Sequence, residues 1–303
     1  MPFFRFEGQR IAYSEFAAGR QHAATDGRAR ARTAGRASKR PLILIHGLLL
    51  SQEMHRPLAT DLAAYGNRVI TVDLLGHGRS DRPREMTRYS VSQFAAQVVA
   101  LMDHLELERT AVMGTSLGAN TALELAASDP GRVRGLVIEM PVLDNGLLAS
   151  AVAFTPLLVA LTFGEPAMAL LARGARAVPR ALLPHNGNVL LDLWRQDPGP
   201  GGAVVQGLFF GRIAPRKSER RTIQAPTLVL GHPRDPVHPF SDAGMLAEEL
   251  PHGRLLEANS LIELRVRPQR LTSEIAAFLD KVWARRPPSR RQRGVRRERR
   301  QKA

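Results

Sequence analysis

The chain of 303 residues contains no cysteine. This absence excludes disulfide bonds, thiolate metal sites and a cysteine nucleophile. The first ten residues contain no apolar run of signal-peptide length, so a cytoplasmic protein is expected. The sequence also lacks a glycine-rich phosphate or dinucleotide motif and any metal-ligand spacing. Neither a cofactor nor a bound metal is therefore expected.

Acidic residues are too few to balance the basic ones, and the formal net charge is +15. The excess is confined to two segments. Residues 19–41 hold seven cationic residues and one aspartate, and residues 284–303 hold ten cationic residues and one glutamate. The rest of the chain is neutral, which is not typical of a protein that binds nucleic acid through its folded body.

Both basic segments are poor in large apolar residues, so burial cannot offset the entropy lost on ordering them. We predict a disordered insertion over residues 19–40 and a disordered tail over 285–303. Neither segment interleaves aromatic residues with its arginines, so no specific nucleic-acid partner is expected. Loose, salt-sensitive contact with nucleic acid or an anionic membrane stays open as a hypothesis.

Apolar runs of strand length alternate with segments of helical period, which predicts a parallel sheet with crossover helices. The predicted strands are a hairpin over residues 3–16 and single strands over 41–46, 68–73, 110–114, 133–140, 226–231 and 254–257. Helices are predicted between them, among others over residues 90–107, 117–128 and 271–283. The fold class is therefore α/β.

The alternation stops between residues 142 and 220, where the chain is helical, apolar and punctuated by prolines. Residues 146–164 carry no charge and are long enough to be considered as a membrane span. Pro156 interrupts this stretch, however, and it lies between two strands of the predicted sheet. We therefore predict helices that cover a pocket, and no membrane span.

The central chemical signal is the sequence Gly114-Thr-Ser-Leu-Gly118, which lies between a predicted strand and a predicted helix. A serine held at such a tight, strained turn is exposed for nucleophilic attack, and glycines on both sides avoid Cβ clashes. The following helix directs backbone N–H groups and its positive dipole end at the site. Ser116 is thus the candidate nucleophile.

Two further loops reach the same edge of the predicted sheet. Leu48 follows His46-Gly47, and its backbone N–H is a candidate oxyanion donor together with that of Leu117. Asp235 follows the strand at 226–231 and is a candidate acid for orienting an imidazole. His46 and His77 are interpreted as residues that shape their loops and not as catalysts.

These motifs, in this order, resemble the α/β-hydrolase family over most of the chain. The resemblance implies a mostly parallel eight-stranded sheet with flanking helices, a helical lid and acyl-transfer chemistry on esters or related compounds. It also implies that Ser116 is the nucleophile, Asp235 the triad acid, and Leu48 and Leu117 the oxyanion donors. The implied organisation is a hairpin over 1–18, the basic insertion 19–40, core parts at 41–141 and 221–284 around a lid at 142–220, and the tail.

The sequence departs from the family at the triad histidine. Counting back from Arg267-Pro268, which opens the last helix, that position is occupied by Leu261. His238 and His232 flank Asp235, and either could supply the missing imidazole, with His238 given slightly more freedom to reach inward. A carboxylate from Glu263 is a third option, but only with a raised pKa.

Three functions are therefore open. The first is a serine hydrolase of a small, largely apolar ester or related acyl substrate. The second is a binding protein that retains the pocket but has lost the base, which Leu261 favours. The third is a nucleic-acid-associated protein that uses its arginine-rich segments. Substrate identity and oligomeric state do not follow from the sequence.

Overall fold

The computed structural model describes residues 2–17 and 40–285. The predictions for the basic insertion and the tail fall almost wholly outside these residues. Within them, eight strands form one sheet, in the spatial order β1-β2-β4-β3-β5-β6-β7-β8. The strands are β1 (Phe3–Phe6), β2 (Gln9–Phe16), β3 (Pro41–Ile45), β4 (Arg68–Val72), β5 (Thr110–Thr115), β6 (Val133–Glu139), β7 (Thr227–Gly231) and β8 (Gly253–Glu257).

Only the first two strands of this sheet pair in antiparallel fashion. β1 pairs with β2 and β2 with β4 in antiparallel register, whereas every pairing from β4 through β8 is parallel. Strands β3 and β5 lie in the middle of the sheet and are buried along their whole length. Their nearly unbroken apolar sequences are what a strand covered on both faces requires. The predicted fold class is thereby confirmed.

Helices cover both faces of the sheet. In chain order the helices are α1 (Arg56–Ala64), α2 (Val91–His104), α3 (Leu117–Ser128), α4 (Gly146–Phe163), α5 (Glu165–Ala177), α6 (His185–Trp194), α7 (Pro198–Phe210), α8 (Lys217–Arg220), α9 (Phe240–Glu249), α10 (Glu263–Val266) and α11 (Gln269–Ala284). Leu123 and Leu246 pack in one apolar cluster with Phe94, and Leu62 packs in a second cluster with Ile275. These two cores lie on opposite faces of the sheet.

The helices α4 to α7, here called the cap helices, lie between β6 and β7 in the chain. Helix α4 is 18 residues long with a mean hydropathy of 2.0, which by length and composition alone would be enough to cross a membrane. Only 11% of that segment is buried. It packs against α5 and α7, as expected for a helix that belongs to a folded cap.

Candidate active site

Ser116 lies at the turn between β5 and α3, with φ 54° and ψ −113°. A residue other than glycine rarely adopts a positive φ. The backbone at Ser116 is therefore strained and is held in this conformation by the surrounding structure. A Cβ on Gly118 would overlap the carbonyl of Ile45, and a Cβ on Gly114 would overlap the carbonyl of Gly118. The two glycines thus let strand and helix approach closely enough to form the turn.

His238 lies between the hydroxyl of Ser116 and the carboxylate of Asp235. Its Nε2 is 2.9 Å from Ser116 Oγ, and its Nδ1 is 2.9 Å from Asp235 Oδ2. With the proton on Nδ1, the ring donates to the carboxylate and its Nε2 accepts the hydroxyl proton of the serine. Of the three candidate bases, His238 is the one that the structure brings to Ser116.

The loop between β7 and α9 fixes the carboxylate of this arrangement. The backbone N–H groups of Val237 and His238 both donate to Asp235 Oδ1, each over 2.9 Å. Burial raises the pKa of the Asp235 carboxyl, but the hydrogen bonds from His238 and Val237 lower it by more. The pKa therefore lies below its usual range, and the group is a carboxylate at neutral pH.

The two predicted oxyanion donors stand beside the serine. Leu48 follows β3, Leu117 opens α3, and both line the same cavity as Ser116. At the first position of a helix the N–H of Leu117 has no partner within the helix. Both predicted donor residues therefore border the cavity next to Ser116.

The cavity next to Ser116 has a volume of about 290 Å³. Its wall is almost wholly apolar and comes largely from α4 and α7. The lining side chains include Leu147, Ala151 and Phe154 of α4 and Val205, Leu208 and Phe209 of α7. The polar Asn120 in this wall is already engaged, because its amide donates to the carbonyls of Val142 and Ile213. The cavity thus suits an apolar group.

His232 and Glu263 are not placed at the serine. His232 is buried, with Nδ1 3.1 Å from the carbonyl of Ser260. The Glu263 carboxylate accepts two hydrogen bonds from the guanidinium of Arg270. That ion pair lowers the pKa of Glu263 against a smaller effect of burial. A lowered pKa is the opposite of what a carboxylate base requires near neutral pH.

A buried ionic cluster lies behind the turn at Ser116, and the sequence analysis missed it. The Glu139 carboxylate, at the end of β6, accepts from Thr115 Oγ1 over 2.5 Å and from Arg265 over 2.7 Å. His232 Nε2 stands 3.4 Å from the same carboxylate, in ionic contact and without the alignment of a hydrogen bond. The cluster connects β5, β6, α10 and the loop after β7.

The cluster favours the charged forms of Glu139 and His232. Burial raises the pKa of Glu139, but Arg265, His232 and Thr115 together lower it to well below the usual range. Burial lowers the pKa of His232, and Glu139 outweighs that effect, so the pKa lies above its ordinary value. A signal was present in the sequence, since Glu139 is a carboxylate that directly follows the apolar run Leu136-Val-Ile138 at the end of its strand.

His46 and His77, the two histidines predicted to shape their loops, are both engaged in contacts within those loops. His46 is buried and its Nε2 accepts the backbone N–H of Leu74, while Nδ1 lies 2.8 Å from the carbonyl of Gly47. Burial lowers the pKa of His46. The ring of His77 contacts that of His46, and its Nδ1 lies 3.0 Å from the carbonyl of Leu75. Both histidines hold their loops, as predicted.

Leu261 lies in the short loop between β8 and α10, with 38% of its surface exposed. An aliphatic side chain there supplies no proton acceptor. Among residues 2–17 and 40–285, no group of three or more acidic or histidine side chains is arranged to hold a metal ion.

The family model for the alpha/beta hydrolase fold matches residues 40–259. The chain belongs to this family. Among individual relatives, it is 35% identical over 116 residues to a haloalkane dehalogenase from Mycolicibacterium paratuberculosis. That match takes in 38% of this chain and 37% of the relative, so the chain spans little more than a third of the length of that protein.

Solved structures give the same fold. The enol-lactonase from Burkholderia xenovorans LB400 has a TM-score of 0.68 at 22% identity, covering 92% of this chain and 100% of that one. Est816, an enzyme that degrades N-acyl homoserine lactones, has a TM-score of 0.65 at 23% identity, covering 91% and 100%. At these identities the likeness concerns the architecture alone.

Proposed function

We propose that this α/β-hydrolase is a serine hydrolase of a small, largely apolar ester or related acyl compound. The observation that carries the proposal is the position of His238, 2.9 Å from both Ser116 Oγ and Asp235 Oδ2. A base within hydrogen-bond reach of a serine hydroxyl, itself oriented by a carboxylate, is the arrangement that activates serine as a nucleophile.

In the first half of the reaction, Ser116 Oγ attacks the acyl carbonyl carbon while its proton passes to His238 Nε2. The carbonyl oxygen becomes negatively charged and is stabilised by the backbone N–H groups of Leu48 and Leu117. His238 then returns the proton to the departing alcohol oxygen as the carbon–oxygen bond breaks. Ser116 is left as an acyl ester.

In the second half, a water molecule attacks the acyl-serine carbon and gives a proton to His238. Collapse of the intermediate breaks the bond to Ser116 Oγ, which regains its proton from His238, and the carboxylic acid leaves. The negative charge of Asp235 stabilises the imidazolium that forms in both halves. Each step uses only groups of this chain, the substrate and water.

The substrate class is inferred from the cavity. Its apolar wall offers no charged group to a ligand, and Asn120 is engaged with backbone carbonyls. A buried charged substituent without a partner would be costly. We therefore expect an uncharged, apolar acyl or alcohol group in the roughly 290 Å³ next to Ser116.

A serine at the position of Ser116 does not suit the dehalogenation named for the mycobacterial relative. Displacement of a halide by Ser116 Oγ would leave an ether on the enzyme, and water does not readily cleave an ether. Acyl transfer instead leaves an ester, which the same base can hydrolyse. The serine at the turn thus favours acyl substrates.

Labelling with a fluorophosphonate probe tests the proposal. We expect wild type to be labelled, and labelling to be lost in Ser116→Ala and strongly slowed in His238→Gln. His252→Gln is the matched control, since His252 is exposed in the turn before β8, and it should label like wild type. A series of p-nitrophenyl esters of increasing acyl length would then define the preferred chain length.

One result would overturn the serine-hydrolase proposal. If the folded wild-type protein is neither labelled nor active on any ester, the alternative of a binding protein with a hydrolase fold takes its place. Labelling that persists in His238→Gln would instead assign the base to a different group.

A further inference from the structure

Helix α4 presents an apolar stripe to solvent. The outward residues are spaced at intervals of four, four, three and four along the helix: Leu148, Val152, Pro156, Val159 and Phe163. Leu148 and Phe163 are 76% and 82% exposed. The hydroxyl of the exposed Thr155 on this side donates a hydrogen bond to the backbone carbonyl of Ala151 in the same helix. The outer face of a cap helix in water is ordinarily polar, and this one is not.

The apolar surface continues onto α5, which follows α4 after Gly164. Leu170 lies at the centre of the outward face of α5, and Leu171 lies on one flank. The indole of Trp194 lies beside both helices, where it lines a crevice with Leu157 and Met168, and it is half exposed. We call the surface of Leu148, Val152, Pro156, Val159, Phe163, Leu170 and Leu171 the cap face.

The inner side of α4 packs against the rest of the protein. Leu161 packs with Leu49 and Val205, and Leu147 and Ala151 line the cavity at Ser116. A helix that crossed a bilayer would lose these contacts. The cap face can therefore enter only the outer part of a lipid layer, with α4 lying parallel to the surface.

Each acidic side chain within residues 144–192 is paired with an arginine. Asp144 pairs with Arg220, and Asp192 pairs with Arg180. Glu165 is paired with Arg84 at 2.9 Å. Arg173 and Arg176 are exposed on the flank of α5 opposite Leu171. An apolar surface bordered by arginines complements an anionic lipid surface, whereas two copies of the same face would bring their arginines together.

We propose that the cap face docks peripherally on anionic lipid bilayers. The apolar side chains insert among the acyl chains, and the arginines of α5 contact the anionic headgroups. Because α4 has the cap face on its outer side and the cavity wall on its inner side, docking places the cavity one helix away from the lipid. The docking itself does not depend on the proposed chemistry at Ser116.

The test is co-sedimentation of the full chain with vesicles of phosphatidylcholine alone or mixed equally with phosphatidylglycerol. We expect wild type to bind the anionic vesicles. The double variant Leu148→Gln/Phe163→Gln should bind them about tenfold more weakly or worse, since two inserted side chains are replaced by polar ones. The matched control Phe3→Gln/Ile262→Gln, which changes two exposed apolar residues outside the cap face, should bind like wild type.

Three results would overturn the proposal. Wild type that stays in the supernatant with anionic vesicles shows no docking. Equal binding by the double variant assigns binding to the basic charges of the chain alone. Resistance of the bound protein to alkaline carbonate indicates an integral span and not peripheral docking.

Two measurements distinguish lipid docking from self-association and from damage to the fold. Light scattering that shows a wild-type dimer, dissociated in Leu148→Gln/Phe163→Gln, would assign the cap face to a second copy and overturn lipid docking. Turnover of a water-soluble ester should be unchanged in the double variant, because neither residue lines the cavity. Loss of vesicle binding with retained turnover therefore concerns docking alone, whatever the outcome of the serine labelling.

Discussion

Asp235 and His238 are three residues apart on one loop, and the histidine contacts Ser116 from a segment remote in sequence. The acid is fixed by two backbone N–H groups of the same loop, including that of His238 itself. The proposed acid and the proposed base therefore lie on the same loop. Their relative position depends on this loop and not on the docking of two separate ones.

At the level of single residues, His238→Gln should lower kcat/KM roughly 10³-fold or more, because Ser116 loses its proton acceptor. Asp235→Asn should give a comparable loss, since the imidazole is no longer held in the required tautomer. The double variant Ser116→Ala/His238→Gln should be no slower than Ser116→Ala alone, since the residues act as a unit. Ester kinetics measure all three. A further large loss in the double variant would contradict a shared mechanism.

His232 provides a prediction for stability. Its pKa is raised above the ordinary 6.5 in the folded protein, chiefly because Glu139 outweighs the effect of burial. A raised pKa stabilises the fold at pH values below the unfolded pKa, and the effect is lost as the pH rises through the folded value. His232→Gln should therefore lower the free energy of unfolding by about 1–3 kcal/mol near pH 6.

The difference between wild type and His232→Gln should shrink as the pH is raised above 7. Urea denaturation at a series of pH values measures it. A difference that grows with pH would show that His232 is neutral in the fold. His252→Gln serves again as the exposed control, with little change at any pH.

At the level of elements, one side chain attaches the start of the cap to α9. Asp242, in the first turn of α9, is buried and accepts the backbone N–H groups of Leu143, Asn145 and Gly146 at 2.7–3.0 Å. These N–H groups precede or open α4. The position of α4 over the cavity is thus set by a residue from a distant part of the chain.

Asp242→Ala should destabilise the protein by about 2–3 kcal/mol, because the N–H groups of Leu143 and Asn145 lose their acceptor and that of Gly146 keeps only the carbonyl of Leu143. Asp242→Asn, which keeps one acceptor oxygen, should cost less. Denaturant unfolding gives both values. Limited proteolysis near residues 143–146 should be faster in Asp242→Ala, and equal rates would show that the cap is held by its apolar contacts alone.

The elements that could be predicted from sequence are those specified by local pattern. Apolar runs predicted β3 and β5, and the spacing of two glycines around Ser116 predicted the tight turn at that serine. The contact of Glu139 with His232 and Arg265 could not be predicted, because it joins three segments far apart in sequence. The solvent-facing side of α4 could not be predicted either, because a helix that is apolar on all sides has no periodicity to indicate which side faces solvent.

For the whole molecule, the described residues next to the two basic segments lie at one edge of the sheet. Phe16 and Pro41 pair with Val69 and Arg68 at the start of β4. Arg285 contacts Arg134 near the start of β6. Ser116, in contrast, follows the end of β5. The described residues that flank the basic segments therefore lie at the edge opposite the candidate active site.

Removal of residues 286–303 should consequently leave kcat/KM for a small ester within about twofold of wild type, because Arg285, which precedes them, lies at the edge of the sheet opposite Ser116 and surface charges are screened by salt. The truncated protein should elute from heparin at lower salt than the full chain, since it carries less positive charge. Kinetics and heparin chromatography measure the two effects. A large loss of turnover would indicate that the tail reaches the cavity.

The joint support of Asp235 and His238 also bears on how this catalytic apparatus could change over time or be redesigned. A single short segment carries both the proposed acid and the proposed base, so it could be transplanted as one piece onto a related scaffold that already has a serine turn. The loop that contains Leu261 then has no part in the proposed proton transfer. A substitution of the exposed Leu261 should therefore leave the proposed chemistry at Ser116 intact.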